Sequence, residues 1–183
     1  MNEVLTTTKN QWVTDPTHTE INFKVKHMMF TTVTGKFTDY DVQVETENDD
    51  FMTAKISFTA KTNSVSTGAE GRDTHLRSAD FFDSETYPEL KFSATKYEMV
   101  DNDGSYELYG DLTIKNITRQ VKLDVEFGGV QKNPWGSEVA VFSINGKINR
   151  KDWELNWNAL LEGGGVLVAE DVRINCEVQL VRK

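Results

Sequence analysis

Apolar and polar residues alternate along most of this chain. Ile21, Phe23, Val25 and His27 are separated by Asn22, Lys24 and Lys26, and Ala54, Ile56, Phe58 and Ala60 by Lys55, Ser57 and Thr59. Tyr106, Leu108, Gly110, Leu112 and Ile114 form a further face, followed by Val121, Leu123, Val125 and Phe127. Near the end Val172, Ile174, Cys176, Val178 and Leu180 alternate with Arg173, Asn175, Glu177 and Gln179. A period of two with one apolar face predicts strands of antiparallel sheet, buried on one side and wet on the other. The runs predict strands at 20–28, 33–45, 52–60, 90–99, 105–115, 118–130, 138–149 and 166–182, with a hairpin turn at Asp101-Asn102-Asp103-Gly104. Eight strands are the number that closes into a barrel whose interior holds either filling side chains or one small ligand. The expected fold is therefore all-β, an eight-stranded antiparallel lipocalin-like barrel.

Two stretches break the alternation. Residues 64–87 carry Ser, Thr, Gly and Asp punctuation and predict short helical turns. In 152–162, Trp153, Trp157, Leu160 and Leu161 recur at spacings of three and four, which predicts a short amphipathic helical turn before Gly163–Gly165. Such insertions between barrel strands form lids and mouths. Residues 1–10 read as a tail and 11–183 as one domain. No repeat or low-complexity linker divides the 183 residues.

Composition narrows the function. With 20 Lys and Arg against 29 Asp and Glu, the net charge is −9, and no basic surface suited to nucleic acid is evident. Cys176 stands alone, which rules out an internal disulfide and a cysteine-based metal cluster. Three histidines without a close pair give no standard zinc spacing, and Asp101 and Asp103 do not extend into a calcium loop. Residues 1–10 lack the apolar centre of a signal peptide, and no apolar run approaches the ~20 residues of a spanning helix. A cytoplasmic protein that is not integral to a membrane is the expectation, periplasmic or secreted if a leader has been removed.

Specific motifs add to this pattern. Trp12, Asp15, His18, Phe23 and His27 precede Gly35-Lys36-Phe37. Thr67-Gly68 is followed by Arg72-Asp73-Thr74-His75-Leu76-Arg77-Ser78, then Phe81-Phe82-Asp83 and Tyr87-Pro88. Gly110-Asp111-Leu112-Thr113-Ile114, Thr118, and Arg150 with Asp152 complete the set. With these residues the chain resembles the YceI family of lipocalin-like, polyisoprenoid-binding barrel proteins, from about Trp12 to Leu180. The resemblance implies a barrel that holds a long isoprenoid or similar lipid in its lumen, with no other cofactor, and a possible homodimer. The chain departs from the family pattern at Trp153-Glu154, where relatives commonly show an aromatic residue followed by Gly, and at Thr19, where Ser is usual.

By alternation, Phe23, Val25, His27, Phe58, Phe92, Leu112, Ile114, Leu123, Phe142 and Ile144 point inward as candidate ligand contacts, while Lys24, Lys55, Thr113 and Lys122 face solvent. Arg72, Asp73, His75 and Arg77 are the densest polar cluster. Arg72 and Arg77 either meet an anionic headgroup, as guanidinium geometry suits, or bind nearby backbone and fasten the connection to the barrel end. Three function classes fit: a carrier or scavenger of one hydrophobic chain, an enzyme on a lipid or quinone with His27 or His75 as general acid or base, and a ligand-free structural protein. No nucleophile has a recognisable context; Ser93 and Lys96, the one Ser-x-x-Lys pair, fall in a predicted strand. The carrier is the leading expectation, with a hydrophobic small molecule as its partner and no catalytic residue.

Overall fold

The computed structural model describes residues 6–183. Its strands are β1 (Lys9–Thr14), β2 (Glu20–His27), β3 (Thr31–Phe37), β4 (Tyr40–Glu47), β5 (Asp50–Lys61), β6 (Val65–Ser66), β7 (Glu89–Met99), β8 (Ser105–Ile114), β9 (Ile117–Lys132), β10 (Glu138–Asn149) and β11 (Val168–Arg182), with one helix, α1 (Glu70–Arg77). Short 3-10 turns lie at Thr62–Ser64 and Arg150–Trp153. The strands form a closed eight-stranded antiparallel barrel, because three of its staves are broken in two. β1 and β2 make one stave along β11, β3 and β4 the next, β5 and β6 the third. Trp12, Val13 and Thr14 pair with Arg182, Val181 and Leu180, which closes the ring.

The break between β1 and β2 is built locally. The Asp15 carboxylate accepts from the backbone N–H and the hydroxyl of Thr17 and sits 2.9 Å from His18 Nδ1. These contacts hold its pKa below the usual carboxylate value, the Thr17 hydroxyl first and His18 next. Thr19 then rejoins the ladder through its hydroxyl, which donates to the Gln179 carbonyl and accepts from the Gln179 N–H. A hydroxyl is all that this position uses, so Thr replaces Ser without loss.

The predicted strands are all present, with differences where local structure interrupts a stave. β1 takes residues 9–10 from the expected tail; residues 1–5 of that tail lie outside the described residues. The helical insertion expected near 152–162 is the 3-10 turn Arg150–Trp153, shorter than the expected span. The turn ends at Trp153, and the chain then runs irregularly, with Trp153, Leu155 and Trp157 turned in while Leu160 is 88% exposed. The true period there is two, and the three- and four-residue spacings mixed buried with exposed positions. Glu154 ends the 3-10 turn with φ of 58°, in the left-handed region that favours Gly. Gly, which the family resemblance leads one to expect here, would adopt that conformation without strain. Among the residues expected to face solvent, Lys24, Lys55 and Lys122 are exposed, while Thr113 is half-buried, 2.8 Å from the Thr118 hydroxyl.

The two ends of the barrel differ. At one, Phe51 lies 5.1 Å from Trp12, 5.0 Å from Phe127 and 5.1 Å from Phe142 between ring centroids, and Phe127 stacks on Phe142 at 4.8 Å. Trp12 is buried, donates to the Thr46 hydroxyl and lies under the Arg182 guanidinium. At the other end β6 pairs only with β3, so the sheet parts between β6 and β7, and α1 with residues 78–88 occupies the gap.

Candidate functional site

A cavity of about 430 Å³ lies inside the barrel and opens at the parted end. Close-packed interiors hold few voids larger than a water molecule, so this space is a constructed feature. From Tyr106 to Ile114 on β8, at about 3.4 Å per residue and a tilt near 40°, the wall runs roughly 20 Å along the axis. Phe23, Val25, Phe58, Phe92, Leu112, Ile114, Leu123, Phe142 and Ile144 all line it, as the alternation predicts. Phe23, Val25, Phe58 and Ile144 are only half-buried although they point inward. Their remaining surface faces the lumen.

Two motif glycines keep that lumen open. The Phe23 ring lies over Gly35, its pairing partner, so closely that a Cβ there would sit 2.3 Å from Phe23 Cζ. The Phe92 ring lies over Gly110 in the same way, again at 2.3 Å. The tip of each ring occupies the place of a missing side chain and covers glycine backbone.

The walls are apolar, with polar side chains gathered toward the mouth, where His27, Thr67, Arg72, His75 and Arg150 line the space. Their bonds are largely committed to holding the mouth together. Asp73 is buried and accepts from the N–H and hydroxyl of Thr67. Arg72 Nε donates to the Thr67 hydroxyl at 2.7 Å and Nη2 to the Thr67 carbonyl at 2.8 Å. Arg77 does not line the cavity; its Nε donates to the Asn63 carbonyl at 3.0 Å. The two arginines share one barrel end, yet both clamp α1 onto the β6 connection, and that geometry supports fastening over headgroup capture. His75 Nε2 lies 2.9 Å from Asp80, and its ring stands edge-on to Trp157 and Phe81. His27 is half-buried at the top of β2. His18 is exposed and lies outside the cavity, in the turn before β2.

Sequence reasoning assigned no site role to Arg150, which organises the far side of the mouth. It is 3% exposed and donates to the carbonyls of Leu155, Trp157, Val168 and Ala169. Burial pushes its pKa down, with Glu170 opposing, but Glu170 is itself paired with Lys151 at 2.8 Å. The guanidinium thus sews the segment after the 3-10 turn to the start of β11 through carbonyls alone. Trp157 was likewise missed as a lining residue, because its segment was read at the wrong period. Cys176 lines the wall too; burial raises its thiol pKa to about 11, so it stays protonated and unreactive at neutral pH.

Residues 12–180 match the YceI-like domain. The chain belongs to the YceI family. It is 39% identical over 166 residues to a UPF0312 protein of Staphylococcus aureus (strain N315), covering 90% of this chain and 94% of that one. A crystal structure of the Campylobacter jejuni YceI protein superposes with a TM-score of 0.74 at 34% identity, covering 86% of this chain and 90% of that one. The fold is shared with a polyisoprenoid-binding domain from Saccharophagus degradans, at a TM-score of 0.62 and 13% identity over 94% of this chain and 98% of that one. In this YceI-family chain, the glycines at 35 and 110 and the Thr67–Asp73 clamp give the family motifs their physical meaning: one set hollows the barrel, the other holds its mouth.

Proposed function

We propose that this YceI-family protein is a lipid-binding barrel that carries or scavenges one long hydrophobic chain, such as a polyisoprenoid, an isoprenoid quinone or a fatty-acid-like lipid, without catalysis. The observation that carries the reading is the lumen itself: inward apolar side chains keep accessible surface around a cavity of about 430 Å³ open at one end. Left empty of ligand and solvent, such a space would cost on the order of 10 kcal/mol at ~24 cal/mol per Å³. That is comparable to a whole domain's stability of roughly 5–15 kcal/mol. A bound chain removes this penalty. Burying about ten methylene units contributes roughly 8 kcal/mol, and ordering the chain takes back several kcal/mol, so micromolar affinity, about 8 kcal/mol net, calls for a chain longer than ten methylene units. Thr67, Arg72, His75 and Arg150 at the mouth are engaged with backbone or with neighbouring side chains, so the body of the ligand supplies the affinity.

Mass spectrometry of an organic extract from natively purified protein tests this. One long-chain lipid in near-equimolar amount is expected. Ile114→Trp is expected to stay folded, losing less than about 1 kcal/mol where overpacking a filled core costs about 1–3, and to lose that lipid. An empty wild-type extract, together with unfolding on every lumen enlargement, would sink the carrier. Turnover of an extracted lipid that disappears in His27→Ala would transfer the function to an enzyme.

A further inference from the structure

Apolar surface at the mouth continues outward past the lumen. The β2–β3 hairpin ends in Met28, Met29 and Phe30, which are 55%, 66% and 84% exposed. Met28 and Met29 adopt φ of 50° and 63°, a left-handed backbone that L residues avoid. The tip therefore holds apolar side chains in water on a strained turn, where Asn and Gly would be the ordinary choice. Beside it stands the loop after Trp157, where Leu160 is 88% exposed. The two are joined: the Met28 N–H donates to the Leu167 carbonyl at 2.8 Å, and a Cβ on Gly165 would lie 2.3 Å from Met29 Sδ. Leu167 and His27, immediately behind the tips, already line the cavity.

We infer that this rim docks on the surface of a lipid bilayer and sets the mouth of the barrel against the acyl chains, an inference that rests on the carrier reading. Shape argues for a soft surface as the occupant. The four side chains expose roughly 500 Å² in all, taking about 170 Å² for a large apolar side chain, and they project from two loop tips, where a dimer presents packed apolar surface within a patch of ~800 Å² per partner. Charge argues that the attraction is hydrophobic. A net charge of −9 disfavours adsorption to an anionic surface. Lys26 reaches back to the Phe30 carbonyl at 3.3 Å and the Thr32 hydroxyl at 2.9 Å, so its ammonium sits one step behind the tips, at the depth of lipid headgroups when the tips enter the acyl boundary.

Flotation with phosphatidylcholine vesicles tests the docking. Wild-type protein is expected to float, and to do so equally at 0.1 and about 0.5 M salt, because the contact is not ionic. Combining Met28→Ser, Met29→Ser and Phe30→Ser is expected to weaken binding at least tenfold. Leu160→Ser, on the other loop, is expected to weaken it severalfold and keeps the test valid should the triple variant misfold. Trp135→Ser, as exposed but in the β9–β10 turn, is expected to change nothing. Failure of the wild type to float, or unchanged flotation of both rim variants, overturns the inference. So does a concentration-dependent dimer in ultracentrifugation that the rim variants dissolve. Ile114→Trp separates the two readings: rim-dependent flotation that survives in it supports docking, whatever its lipid content.

Discussion

The two ends of this barrel are made from the same alternating strands and do opposite things. At the closed end, Trp12, Phe51, Phe127 and Phe142 meet ring to ring at 4.8–5.1 Å, and Phe51 and Phe142 floor the cavity. Toward the mouth, the rings of Phe23 and Phe92 cover glycines on the wall, and polar side chains fasten loops to one another. Aromatic residues serve both ends; the neighbour decides the outcome. Rings packed on rings floor the lumen, and a ring over glycine lines its wall.

The comparison breaks most visibly at the closed end. Phe51→Ala is expected to cost about 3–5 kcal/mol, as for other buried aromatic truncations, measured by urea unfolding, with lipid per folded molecule unchanged. A loss below about 1 kcal/mol would mean that this end is not a packed plug. Arg150→Met comes next. It leaves the carbonyls of Leu155, Trp157, Val168 and Ala169 without their donor, and about 3 kcal/mol is expected, together with faster release of bound lipid. Unchanged release would detach the stitch from the mouth's function. Glu154→Gly should act in the opposite direction, stabilising by about 1 kcal/mol because its φ of 58° suits Gly; a lowered melting temperature would show that the Glu side chain has a role of its own. Smallest is Arg72→Ala, about 0.5 kcal/mol since its bonds to Thr67 are exposed, with lipid retention unaltered. A marked fall in retention would restore the headgroup role to Arg72.

The strand order and the inward set were legible because period-two alternation is a local signal, and antiparallel neighbours joined by short turns leave little freedom in topology. Phe23, Phe92, Leu112 and Ile144 could be assigned to one face from their immediate neighbours alone. The choice between headgroup contact and fastening for Arg77 stayed open in the sequence for the converse reason. It lies close to Arg72 in sequence, but it turns to the Asn63 carbonyl, on the chain leading into β6. Trp157 and Arg150 were named in the sequence but given no site role, because their contacts include Phe81, His75, Val168 and Ala169, across separations that carry no periodic trace.

By itself the sequence determined that this chain is a barrel with an apolar inside, and its motifs determined the family. Whether that inside is filled or hollow was decided only in three dimensions. Volume is set by which residues face one another across strands: Gly35 under Phe23 and Gly110 under Phe92 open the lumen, and Phe51 against Trp12, Phe127 and Phe142 closes it. Alternation specifies a direction for each side chain, in or out. It carries no information about what the side chain meets there, and that meeting makes the difference between a core and a cavity.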